Sequence, residues 1–126
     1  MRVLHITNEF TKKNYSIASL ILFISKYLYK SYNVSFSLLS SSTNKSLFNE
    51  EISSNVNFKK WSSFFLLNNI LKKKIYNHDI IHIHGIWAPI QIFSIIICNR
   101  QNLNYVIHPH GMLLPEALGS GGLIKY

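Results

Sequence analysis

Acidic residues are scarce in this chain: 5 Asp and Glu stand against 13 Lys and Arg, a formal charge of +8. Such a balance points to anionic partners, whether nucleic acid, phosphate-bearing substrates or an acidic membrane surface, without choosing among them. Cysteine is nearly missing. The one thiol, Cys98 in SIIICNR, excludes a disulfide within the chain, in keeping with a reducing compartment, and its apolar helical setting reads as a small buried hydrophobe. No apolar run approaches the roughly 20 residues that cross a bilayer. The start, MRVLHIT, turns polar too soon for a signal peptide, so a cytoplasmic location is expected. The first strand–helix turn lacks G-x-G-x-x-G, which counts against a dinucleotide-binding domain. No G-x-S-x-G elbow supports a serine nucleophile, and no internal repeat is evident.

What is present suffices for one domain. The chain has 126 residues, of which 48% are apolar, enough to bury a real core. Arg2 to Thr7 reads as a buried first strand, followed by a polar loop from Asn8 to Ser16. From Ile17 to Lys30 the apolar positions Ile17, Leu20, Ile21, Ile24, Tyr27 and Leu28 follow helical spacing, with Lys26 and Lys30 late where the dipole favours cations. Val34 to Leu39 reads as a second strand, Ser40 to Asn55 as loop, and Val56 to Trp61 as a short third strand. Ser62 to Asn77 is an amphipathic basic helix carrying Lys72, Lys73 and Lys74. A strand over Ile80–His84, a helix over Pro89–Asn99 with Pro89 in its first turn, and a strand over Tyr105–His108 complete the order βαββαβαβ. This pattern predicts an α/β, Rossmann-like, doubly wound and mostly parallel sheet. Its last strand lies close to Leu118–Tyr126, a glycine-rich tail in which Gly-Ser-Gly-Gly reads as a flexible turn, so the front portion of something longer is expected.

The chemistry concentrates between Asp79 and Leu118. Two apolar runs, IIHIH and YVIHPH, each end in histidine followed by glycine. In open α/β sheets the carboxyl ends of strands are where ligands sit, so Gly85 and Gly111 mark two tips facing one crevice. His82 and His84 are two apart, as are His108 and His110, so each pair projects to one face. His82 and His108 are expected under helix-covered faces as hydrogen-bonded residues, while His84 and His110 at the tips are the functional candidates. Glycine beside them permits positive φ and close backbone approach to a ligand, or serves a plain turn. H-x-H is also a metal-ligand spacing. Metal sites usually recruit a carboxylate too, and Asp79 lies at the wrong end of its strand, so no metal is expected. The basic helix is either a solvated face or an element docking on anionic lipid, with Ile70 and Leu71 beside its lysines. Nucleic acid is not expected as partner, since the aromatic residues there lie among aliphatics rather than between arginines.

HIHGIWAPIQ and YVIHPHGMLLPEAL together resemble the N-terminal domain of retaining GT-B glycosyltransferases of the large group 1 (family 4) type. MRVLHIT is similar to the first strand of those enzymes. The resemblance implies an acceptor-side Rossmann-like domain over residues 1–126 that would face a donor-binding C-terminal domain across a cleft, absent from this chain. It implies sugar transfer from a nucleotide sugar to a glycan or lipid-linked acceptor in cell-surface polysaccharide synthesis, with retained configuration, no cofactor and no essential metal. By motif, His110 would reach the donor sugar near the reaction centre as the catalytic candidate, with Gly111 and Met112 shaping its turn. His84, Gly85, Ile86 and Trp87 would line the acceptor side. The family's first loop carries a Gly-Gly pair at the donor phosphate; here that loop has no glycine, and Asn8, Lys12, Lys13 and Asn14 stand in its place. Asn14 adopts the left-handed region more readily than most residues, and Lys12 or Lys13 would supply charge. The family also implies a peripheral site at the inner membrane face for the basic helix. Two rival readings remain: a metal-dependent hydrolase using His82, His84, His108 and His110, and a non-catalytic module docking on a membrane or partner.

Overall fold

A computed structural model describes residues 1–10, 15–43 and 64–119. The expected strand over Val56 to Trp61, the loop residues Lys12, Lys13 and Asn14, and the tail beyond residue 119 lie outside them. Four strands form an all-parallel sheet in the order β2-β1-β3-β4. They are β1 (Arg2–Phe10), β2 (Ser35–Thr43), β3 (Ile80–His84) and β4 (Tyr105–His108). The helices are α1 (Tyr15–Tyr32), α2 (Phe64–Ile75), α3 (Pro89–Arg100) and the short α4 (Pro115–Gly119). Asparagines in the left-handed region follow two of them, Asn33 at φ 52° after α1 and Asn102 at φ 50° after α3. A short amide side chain tolerates that region and lets the chain leave a helix sharply.

Register sorts the side chains into two faces, because directly paired residues in a sheet point the same way. Leu4 pairs Ile81, and Ile6 sits between Leu39 and Ile83. These residues join Leu71 and Ile75 of α2 and Ile90, Ile97 and Cys98 of α3 in one buried aliphatic cluster. Cys98 is fully buried there as expected, and desolvation pushes its thiol up to about 11. Leu71 belongs to this core as well, so it is withdrawn from any lipid-facing surface; Lys72 and Lys73 remain exposed. On the opposite face α1 packs against Leu38, and Phe10 at the end of β1 joins the same cluster with Ala18 and Ile21. Helices therefore cover both sides of the sheet.

Three expectations need correction. Asn8 to Phe10 continue β1 rather than opening a loop, because Glu9 pairs Ser42, Phe10 pairs Thr43 and the Phe10 side chain is fully buried. By the same pairing Ser40 to Thr43 extend β2. The inward face of α1 is Ala18, Ile21 and Ser25, whereas Leu20 and Tyr27 are 38% and 56% exposed. Small residues at 18 and 25 let the helix approach the sheet closely, and that contact outweighs the larger apolar stripe.

Candidate histidine site at the strand tips

Two adjacent rows of the sheet build the site. One row runs Leu38, His5, His82, Val106; the next runs Ser40, Thr7, His84, His108. The turn after β4 adds His110, whose ring stacks on His84 at 5.2 Å. Five of the six histidines thus share one face, with ring centroids 4.3 Å apart for His82 and His108 and 5.0 Å for His5 and His82. The sixth, His78, lies elsewhere, its Nδ1 at 2.6 Å from the Lys74 carbonyl.

Within this group three rings form a chain. Nδ1 of His5 lies 2.9 Å from Nε2 of His84, and Nδ1 of His84 lies 2.9 Å from Nε2 of His110. A neutral imidazole has one donor and one acceptor, so the two bonds run in the same sense along the chain. Burial enforces the neutral state. Desolvation, reinforced by the neighbouring rings, lowers His5 to about 3 and His82 to about 4, and His84 and His110 shift in the same direction. Two buried ring nitrogens, Nε2 of His5 and Nε2 of His82, have no hydrogen-bond partner.

The tips are held by backbone that only special residues adopt. Gly85 has φ 93° and Gly111 φ 78°, and His110 between the tips sits at φ 50°. Histidine is among the residues enriched there. The Gly85 N–H donates to the His108 carbonyl at 2.7 Å, which ties the end of β3 to the end of β4. A side chain at 85 would run into the Gln91 amide and the Met112 methyl. That amide donates to the His84 carbonyl at 2.5 Å, and its oxygen accepts the Ala88 N–H at 2.8 Å. Gln91 therefore fastens the tip of β3 to the first turn of α3, where Pro89 sits as expected.

The two tips do meet at one rim, and His84, Gly85, His110, Gly111 and Met112 come together. Trp87 stands beside them, 46% exposed, next to the half-buried Ile86. Asn8 lies near the carboxyl end of β1, the central strand on this rim. His84 departs from expectation: it is 1% exposed, with both ring nitrogens engaged by His5 and His110, so it meets a ligand only by giving up one of those contacts. His82 also departs. It is half-buried rather than helix-covered, beside Val106 at 47% exposure, so the β3–β4 part of this face is open. Asp79 keeps to the far end, where its carboxylate receives the Arg2 N–H at 2.6 Å and pairs the Arg2 guanidinium at 3.3 Å; the Arg2 backbone bond, more than charge, holds it below its usual value. Sequence reading missed His5 and Gln91. Strand alternation at His5 was the available signal, but its partners became visible only through the β1–β3 register.

Comparisons with family models, with curated proteins and with solved structures find no match. Among the described residues no helix is long and apolar enough to cross a membrane.

Proposed function

We propose that this chain is the acceptor-side half of a retaining GT-B glycosyltransferase that moves a sugar from a nucleotide sugar to a glycan or lipid-linked acceptor. One observation carries the reading. The two His-Gly tips that bear the family-like motifs converge at the carboxyl rim of a parallel sheet, where the His84 and His110 rings bond at 2.9 Å. The neighbouring strand order adds support, because β1 is flanked by β2 on one side and β3 on the other. The order of strand addition switches from one side of β1 to the other at that point, and ligands of open α/β sheets bind in the crevice it creates.

On this reading His84 holds the Nε2 of His110, which leaves the Nδ1 side of that ring for the donor sugar. Gly85, Ile86 and Trp87 form the acceptor wall, with the half-exposed Trp87 offering an apolar ring face to a sugar. Asn8 is followed in sequence by Lys12, Lys13 and Asn14, the family-like donor-phosphate residues, whose cations together with the positive end of α1 would stabilise the leaving diphosphate. The complementary donor-binding domain lies outside these 126 residues, and the basic helix α2 sits near anionic lipid at the inner membrane face.

The test has two parts. This chain alone should show no sugar transfer with any labelled nucleotide sugar. Joined to the donor domain of a retaining transferase it should transfer, and His110→Ala should reduce kcat far more than it raises KM. Transfer that survives His110→Ala unchanged, or a joined protein inert with every common sugar nucleotide, would remove the reading.

A further inference from the structure

We propose that His5, His82 and His84 bind one late first-row divalent cation of the zinc type, with the fourth coordination position open towards the exposed β3–β4 half of the sheet. This goes beyond the transferase reading and holds whether or not that reading stands.

Geometry comes first. One ring nitrogen from each of His5, His82 and His84 lies within 4.8 Å of the other two. Two tetrahedral ligands on zinc sit roughly 3.3 Å apart, given metal–nitrogen bonds of about 2.0–2.1 Å. The rings thus close on an ion by small side-chain adjustments rather than by strand movement. Strand pairing holds His5 directly opposite His82, and His84 is fixed one row further along.

Unmet bonding is the second, independent observation. Nε2 of His5 and Nε2 of His82 are buried without a partner. A buried polar atom left unsatisfied costs about 1–3 kcal/mol, and two in contacting rings on one face call for an explanation. A cation that accepts the His82 lone pair supplies one for that ring. His5 contributes Nδ1, and His84 contributes Nε2 by exchanging its hydrogen bond to His5, at 2.9 Å, for the ion. The contact that it keeps then orients the ring, as a supporting hydrogen bond does for most metal-bound histidines.

Donor chemistry narrows the ion. Three imidazoles suit zinc, copper, nickel or iron and disfavour magnesium and calcium, which take oxygen ligands. Among the described residues no carboxylate joins the group. The site therefore carries the ion's full double charge, and its open position favours water, hydroxide or an anionic oxygen. His82 is the half-exposed member, so the ion enters from its side.

The experiment uses the untagged 126-residue chain, stripped with chelator and exchanged into metal-free buffer. Cobalt(II) should bind at one equivalent and give the visible spectrum of a tetrahedral imidazole site, and zinc should displace it stoichiometrically. His82→Gln should abolish that spectrum while far-UV circular dichroism stays unchanged, and His108→Gln should leave both the spectrum and the stoichiometry intact. His110→Gln should weaken binding by about 10- to 100-fold through loss of the ring that orients His84. Should His82→Gln fail to fold, imidazole nitrogen NMR of the wild-type chain replaces it: zinc should shift His5, His82 and His84 and leave His78 in place. Absence of stoichiometric cobalt binding, an unaltered spectrum in His82→Gln, loss in His108→Gln, or shifts confined to other rings would each overturn the assignment.

Discussion

The two faces of the sheet are made from the same strands and serve opposite ends. Beneath α2 and α3 the alternating positions are Leu4, Ile6, Ile81 and Ile83, all essentially without solvent contact. One residue along each strand, the other face presents His5, His82, His84 and His108. Burying the aliphatic set removes apolar area from water at about 25 cal/mol per Å2 and drives folding. Burying imidazoles gains less and forbids their charged form. The contrast teaches that β1 and β3 are divided lengthwise, with an aliphatic side that drives folding and an imidazole side that contributes less to it.

Acid should break the contrast most completely. The folded-state values of His5 and His82, about 3 and about 4, lie below the ordinary 6.5, so the unfolded chain takes up protons first. The stability contributed by neutral rings is complete above pH 6.5 and falls as the pH drops towards 4. Each histidine protonated only in the unfolded chain adds a slope of about 1.4 kcal/mol per pH unit. Urea midpoints measured with chelator present should decline continuously through that window, and a flat profile would contradict the burial of His5 and His84.

Substitution sharpens the same comparison. Ile83→Ala, at a fully buried site, should cost about 2–5 kcal/mol in urea unfolding. Gly85→Ala combines a left-handed backbone with a collision against Gln91 and should cost about 2–4 kcal/mol. Gly111→Ala meets only ordinary contact with Leu114, so about 1–2 kcal/mol of backbone strain is expected, separable from Gly85→Ala by thermal unfolding. Val106→Ala, on the open part of the histidine face, should stay within about 0.5 kcal/mol of wild type. If Val106→Ala proved as costly as Ile83→Ala, that part of the face would be covered after all.

Legibility followed locality. β3 and β4 coincide with the runs Ile80–His84 and Tyr105–His108 because each is a short apolar segment bounded by turn residues. Positive φ at Gly85 and Gly111 was readable from the His-Gly dipeptides. The polar ends of β1 and β2 were not, since NEF and SSST are strand only by virtue of each other. The true inner stripe of α1 depended on what it faces. His5 and His84 bond across 79 residues of sequence, and nothing short of the strand register announces that meeting.

Gln91 gives the histidine face a handle on the opposite side of the sheet. Its amide grips the His84 carbonyl and the Ala88 N–H together, while α3 is seated among the aliphatic residues below. Gln91→Ala would accordingly strip the His84 carbonyl and the Ala88 N–H of these partners at once and untie the tip of β3 from the first turn of that helix.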